Sequence, residues 1–208
     1  MKYIFVAGAP GSKWSSVVKN IYYSPSIDRS DYSDARTYYH DASGRRELMH
    51  LGAYWDPGME FGSFFDRLES HTKEECEHEF DRPFSNSADG IRIVKSHVFA
   101  HQVATLRERW PECAVVLVHR SNDSCLGWWV KCGHFDITYP DYAGHYQNLR
   151  TISHIIAKQN HDIEQAMYDY DGVEPLNNRA LAQQLGLEPP PLQYAQNYAA
   201  SDIRVKVI

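Results

Sequence analysis

The sequence predicts one α/β domain over residues 1–208, a parallel sheet of about five strands with helices on both faces. Three observations carry that prediction. Met1-Lys-Tyr-Ile-Phe-Val-Ala7 is a short apolar strand that runs at once into Gly8-Ala-Pro-Gly-Ser-Lys-Trp-Ser-Ser16, a turn leading into a helix. Cys113-Ala-Val-Val-Leu-Val-His119 is a continuous apolar run rich in β-branched residues, the pattern of a central strand buried on both faces. Strand-like and helix-like segments alternate along the rest of the chain, and such alternation builds parallel sheets.

In order, strand 2–7 leads into a helix over about 13–22. Residues 24–47 are polar and Tyr-rich without an apolar period, and admit one short strand over Thr37–His40. Leu51-Gly-Ala-Tyr-Trp-Asp-Pro-Gly-Met-Glu-Phe-Gly62 carries too many Gly, Pro and aromatic residues for a regular helix and reads as a structured loop. Glu60–His78 is helix-like, with a solvated acidic stretch from Lys73 to Glu79. Ile91-Arg-Ile-Val-Lys95 is a second clear strand, and Gln102–Trp110 is a helix stopped by Pro111. After the strand at 113–119 come helices over Asn122–Lys131, Tyr142–Tyr168 and Asn177–Leu185, the last ended by Gly186. No internal repeat or linker divides the chain.

Composition sets bounds. The chain is 43% hydrophobic and 23% charged, as a globular domain is. Its net charge of −6 gives no basic footprint for nucleic acid, so local cations must attract any anionic ligand. No apolar run has the length of a membrane span, and residues 1–8 are too short for a signal-peptide core. Cys76, Cys113, Cys125 and Cys132 lack Cys-x-x-Cys spacing, so free thiols and a cytoplasmic setting are expected. The eleven histidines form no His-Glu-x-x-His pair. Glu77-His78-Glu79 and His97/His101 are read as solvated helix faces and phosphate chemistry, and no metal is expected.

The turn after strand one is where chemistry concentrates. A strand that enters a Gly/Pro/Ser turn and then a helix with a lysine at its start is suited to gripping phosphate. Backbone N–H groups point inward and the helix N-terminus adds positive potential. The ligand class is therefore a nucleotide. The loop is not a Walker A motif, because Gly11 follows Gly8 too soon and Lys13 comes one residue early. An ordinary strand-to-helix turn is the bland alternative.

Pro10, Ser12 and Ser15 fall on the pattern Pro-Lys/Arg-Ser-Gly-Thr-Thr. Two further segments follow in order. One is Ile93-Val-Lys-Ser-His-Val98, a strand ending in Lys-Ser-His. The other is Val115-Val-Leu-Val-His-Arg-Ser-Asn-Asp-Ser-Cys-Leu-Gly-Trp-Trp129, an apolar strand ending in Arg before a helix with a Ser. Together they resemble the sulfotransferases that use 3′-phosphoadenosine 5′-phosphosulfate (PAPS) and release 3′-phosphoadenosine 5′-phosphate (PAP). Those enzymes have a three-layer P-loop-type fold. Tyr168-Asp-Tyr-Asp171 and the helix ending Leu185-Gly-Leu187 are fainter likenesses, to an acidic strand end and a closing helix.

The resemblance implies roles. Pro10, Gly11, Ser12, Lys13, Trp14, Ser15 and Ser16 would form the cofactor loop. Ser15 and Ser16 would donate to the 5′-phosphate, and Lys13 or Lys95 would neutralise the bridging oxygen. Arg120, whose fork suits a phosphate, and Ser124 or Ser121 would hold the 3′-phosphate. His97 would be the general base, since imidazole titrates near neutral pH. Trp14, Trp128 or Trp129 would stack on adenine. The chain departs from the family at Gly11, where a basic residue is usual, and at Gly127–Trp128, where the serine is usual. It also lacks the closing Arg-x-x-Gly motif, for which Arg204 and Lys206 are the only tail cations.

The acceptor would be a small molecule or carbohydrate, walled by the aromatic loop 51–62, including Asp56 and Glu60, and by the Tyr-rich segment 22–39. Two rivals stay open: a nucleotide or metabolite kinase using ATP and Mg²⁺, and a nucleotide-binding protein without turnover.

Overall fold

The computed structural model describes residues 1–27, 39–40, 47–48, 53–54, 67–84, 90–133, 146, 148–198 and 202–208. The strands are β1 (Tyr3–Gly8), β2 (Tyr39–His40), β3 (Glu47–Leu48), β4 (Ala53–Tyr54), β5 (Arg92–Lys95), β6 (Ala114–Arg120) and β7 (Ile203–Val207). The α-helices among the described residues are α1 (Trp14–Tyr22), α2 (Lys73–Asp81), α3 (Val103–Arg109), α4 (Asn122–Lys131), α5 (Leu149–Asp169) and α6 (Asn178–Gln184). Short 3₁₀ turns at Leu68–Ser70 and Val98–His101 precede α2 and α3.

Five strands form one sheet in the order β4-β5-β1-β6-β7. β1 lies between β5 and β6, parallel to both, and β4 runs parallel to β5. β7 is antiparallel to β6, so the sheet is mostly rather than wholly parallel. β2 and β3 pair separately as an antiparallel ribbon.

Alternation along each strand serves two cores. Ile4, Val6, Ile93, Val116 and Val118 face one, and Tyr3, Phe5, Ala7, Val94, Val115 and Leu117 face the other. The first core takes α1, α4 and α6 through residues such as Val17, Trp129 and Leu181. The second takes α2 and α3 through Phe80 and Leu106. α5 serves both: Ile152 and Ile156 near its start join the first core, and Ile163 and Met167 near its end join the second. The aromatic centre of the second core is Phe5, whose ring lies 5.3 Å from Phe80, 5.8 Å from Phe99 and 5.4 Å from Trp110.

Several helix starts follow from side-chain caps. Thr72 and Glu75 form a reciprocal capping box at α2. Asn148 and Asn177 cap α5 and α6 by accepting from Thr151 and Ala180 N–H groups. The cap at Asn148 places the start of α5 later than the predicted Tyr142. The predicted helix from Glu60 is likewise corrected to one starting at Lys73, with residues 60–66 outside the described set. The acidic stretch buries Cys76 and Phe80. Tyr168 and Asp169 close α5 instead of ending a strand, and β7 was not expected.

At the amino ends of the strands, Asp81 binds Lys2 Nζ at 2.8 Å, the Tyr3 hydroxyl at 2.8 Å and Arg92 at 2.7 Å. The far end of the sheet is thus cross-tied.

Replacing Phe5 with Ala removes the ring that four aromatic neighbours pack upon. The expected loss is about 3–5 kcal/mol of unfolding free energy in urea melts. A loss below about 1 kcal/mol would mean that this core is not packed as described.

Candidate functional site

The carboxyl ends of β5, β1 and β6 bring the three sequence segments together, where parallel sheets place their ligands. The loop after β1 is tight. Pro10 is buried, and the Ser12 N–H donates to the Ala9 carbonyl at 3.0 Å. Gly11 has φ 76°, and a Cβ there would stand 2.0 Å from the Cys125 carbonyl oxygen on α4. Both facts demand glycine. The basic residue usual in the resembled loop is sterically excluded at this position.

Lys13, where the helix was predicted to start, is instead the N-cap of α1, which begins at Trp14, and has φ 59°. It is the one non-glycine residue with positive φ among those described, a conformation that costs about 1–2 kcal/mol. Its carbonyl accepts from the Ser16 N–H at 2.9 Å, and no side chain caps the helix. The first N–H groups of α1 therefore lack a side-chain partner. Ser15 and Ser16 lie half-buried in this first turn. The Ser12 hydroxyl is wholly buried and has no hydrogen-bond partner. Uncapped N–H groups beside an unpaired hydroxyl make an anion-favouring corner.

The cations are held by aromatic rings. Lys13 Nζ sits 4.1 Å from the centre of the Trp128 ring, and Lys131 Nζ is 5.6 Å from the same ring. Lys95 is fully buried, its Nζ 5.5 Å from the Trp14 ring and 5.6 Å from the Tyr54 ring. Such contacts are worth about 0.5–2 kcal/mol each. Trp14 is 5% exposed and Trp129 2% exposed, so both rings belong to the core, and Trp128 alone of the three is partly exposed.

His97 follows β5 and is buried. Its Nδ1 makes a short hydrogen bond to the Gly8 carbonyl. Its ring stacks on Trp14 at 4.1 Å and meets Tyr54 edge-on at 5.9 Å. A carbonyl only accepts, so Nδ1 carries the proton, and a neutral His97 is basic at Nε2.

Arg120 ends β6 and spans the site. Its Nε donates to Asp202 at 2.6 Å, and its Nη1 donates to the Gly11 carbonyl at 3.3 Å and the Ser124 carbonyl at 3.1 Å. The fork thus ties the loop, α4 and the start of β7 together. Ser121 caps α4 by accepting from the Ser124 N–H at 3.3 Å. The hydrogen bond from Ser124 and the one from Arg120 hold the Asp202 carboxyl below its ordinary range. That stabilisation is present above the unfolded carboxyl pKa and is lost as pH falls through the folded value. The tail cations serve elsewhere. Arg204 pairs with Glu174 at 3.1 Å, and Lys206 donates to the Met167 and Tyr170 carbonyls at 2.6 and 2.7 Å, near the end of α5.

All four cysteines are free. Burial raises every thiol, Cys76 and Cys125 to about 11, so none is a nucleophile near neutral pH. No group of three or more His, Cys, Asp or Glu gathers around a metal position among the described residues. None of the described helices is long and apolar enough to cross a membrane. Loop 51–62 lies outside the described residues except for Ala53 and Tyr54, as do Asp56, Glu60 and most of the Tyr-rich segment.

Sequence reading missed Tyr54, Asp202 and His119. The alternation of β6 was the available signal for His119, which points away from Arg120. Its Nδ1 is buried without a partner, and burial lowers its pKa. The chain matches no protein-family model, no curated protein and no solved structure.

Two outcomes test this geometry. Gly11→Ala should cost at least about 2 kcal/mol, read by urea unfolding, from the left-handed φ plus the clash. An unchanged midpoint would contradict the close approach to α4. The second concerns His119, which resists protonation when folded. The unfolded chain takes up that proton near the ordinary histidine value of 6.5, so acid favours unfolding. The melting temperature should fall between about pH 8 and about pH 5, and less so in His119→Gln. Equal falls in both proteins would show that His119 is not held neutral.

Proposed function

We propose that the domain has a three-layer P-loop-type fold and is a sulfotransferase that binds PAPS and moves its sulfuryl group to a hydroxyl or amine on a small-molecule or sugar acceptor. The observation that carries the reading is the convergence of the β1–α1 loop, Lys95-Ser96-His97 and Arg120 at the carboxyl ends of three adjacent strands. The uncapped start of α1 and the unpaired Ser12 hydroxyl suit the 5′-phosphate.

In this reading catalysis is positioning and charge stabilisation along an in-line path. Lys13 leaves the Trp128 ring to meet the sulfate and the bridging oxygen. Lys95, buried beside Trp14 and Tyr54, is the second lysine of the corner. His97 takes the acceptor proton at Nε2, while Gly8 holds Nδ1–H. The bond from sulfur to the bridging oxygen breaks, the bond from sulfur to the acceptor forms, and PAP leaves with the bridging oxygen. Arg120 turns part of its fork toward the 3′-phosphate.

A second reading rests on a specific observation. His97 is stacked and buried, and Arg120 already has three acceptors. Both are the marks of a nucleotide-binding domain without turnover. Transfer assays separate the two, because each predicts PAP binding and only the first predicts sulfated product.

PAP should raise the melting temperature without metal, and more than adenosine 5′-phosphate or ATP does. Losing a charged phosphate contact costs about 1.5–3 kcal/mol, so Arg120→Ala should weaken PAP about tenfold to a hundredfold. Equal affinity for PAP and adenosine 5′-phosphate would remove the assignment. His97→Ala should lower transfer about 10²–10⁴-fold while PAP affinity holds. Transfer that survives this change would make His97 structural. Lys13→Met should cut transfer at least about tenfold. A ligand-bound structure with Lys13 still on Trp128 and Lys95 on the phosphosulfate would reverse the two lysines' roles.

A further inference from the structure

Arg120 and Ser124 converge on an anion that belongs to the chain itself. Asp202 lies in the turn just before β7. Its Oδ1 accepts from Arg120 Nε at 2.6 Å, and its carboxylate accepts a second hydrogen bond from the Ser124 side chain. Ser124 stands in the first turn of α4, the end of a helix that favours negative charge. A guanidinium, a hydroxyl and a helix start therefore meet around one carboxylate. That is the donor set of a phosphate seat.

The seat is open to solvent. The Asp202 side chain is 44% exposed and that of Arg120 12%. Arg120 Nη1 is taken by the Gly11 and Ser124 carbonyls, while Nη2 donates to no acceptor among the described residues. Nε and Nη2 share one edge of the guanidinium, and that edge can grip two oxygens side by side. Asp202 fills only the Nε half of it. An exposed ion pair of this kind is weakly held, so a more highly charged anion can compete for the edge.

We propose that Asp202 sets the selectivity of this corner: its carboxylate occupies the anion seat of the free protein, and a phosphate group binds there by displacing it from the Nε–Nη2 edge of Arg120. The inference rests on the phosphate reading of Arg120 and names the group that competes with the ligand. The guanidinium keeps its Nη1 bonds to the loop and α4 during the exchange, so the seat changes its occupant without coming apart.

The first test uses the full chain without nucleotide and inorganic phosphate as the probe. The NMR signal of the Arg120 Nε–H reports occupancy. Asp202→Asn removes the charge at nearly constant size and should bind phosphate at least about tenfold more tightly than the unaltered protein. Asp202→Glu keeps the charge and should gain nothing. Adding Arg120→Ala to Asp202→Asn should cancel the gain. The unaltered protein gives a reading that needs no substitution: saturating phosphate should shift the Arg120 Nε–H and Asp202 carboxyl signals together. A second arm compares PAP with adenosine 5′-phosphate. Asp202→Asn should tighten PAP about tenfold and leave adenosine 5′-phosphate unchanged. If phosphate binding tightens but PAP is not preferred, the seat stands and the nucleotide reading falls. If PAP is preferred and Asp202→Asn gains no affinity for phosphate or PAP, Asp202 is a structural tie and the proposal is overturned. An equal gain in Asp202→Glu, or a phosphate response that leaves the Asp202 signal unmoved, also overturns it.

Discussion

The site depends on how closely the β1–α1 loop lies against α4. At Gly11 the backbone meets the Cys125 carbonyl so nearly that no side chain fits. Arg120 then bridges the same gap, with one nitrogen on the carbonyls of Gly11 and Ser124 and another on Asp202. Asn160 holds the Arg120 carbonyl from α5. One residue thus fixes the positions of the loop, α4, α5 and β7. No basic side chain can stand at Gly11. The loop's one lysine is Lys13, which has a strained φ and lies over Trp128.

The aromatic residues give this corner its electrostatics. Lys95 is buried, and Trp14 and Tyr54 offer ring faces to its ammonium. Trp14 stacks its ring against His97 as well. A lysine, an imidazole and an indole therefore share one low-dielectric compartment beside the loop. In such surroundings a fixed charge acts further than it does in water. An anion at the start of α1 would meet that field together with the unpaired Ser12 hydroxyl.

Much of the scaffold was legible because its signals are local. β1, β5 and β6 are apolar runs, and the turn at Gly8–Ser12 interrupts the first. α4 and α6 were placed almost to the residue. β7 was missed although Ile203-Arg-Val-Lys-Val207 alternates, because a five-residue edge strand offers few residues to count. β4 has only two residues, too few for any period. The start of α5 depended on a single cap at Asn148. In the site, segment order brought His97, Lys95 and Arg120 to one end of the sheet. What each side chain touches was not legible. The contacts of Trp14 with Lys95 and His97 and the Arg120–Asp202 pair join residues far apart in the chain.

The pairing of Arg120 with Asp202 also bears on the order in which the domain matures. The two residues are 82 apart in the chain, and β7 follows every other described element. During synthesis, β1, β5 and β6 can align while the outer edge of β6 is still bare. Arg120 at that stage has the loop and α4 but no carboxylate. The contacts of Arg120 are completed when β7 emerges, pairs antiparallel along β6 and brings Asp202 alongside. Non-local closures of this kind are slow steps in folding. The tie between the loop, α4 and β7 is therefore closed late, after the sheet that supports it has formed.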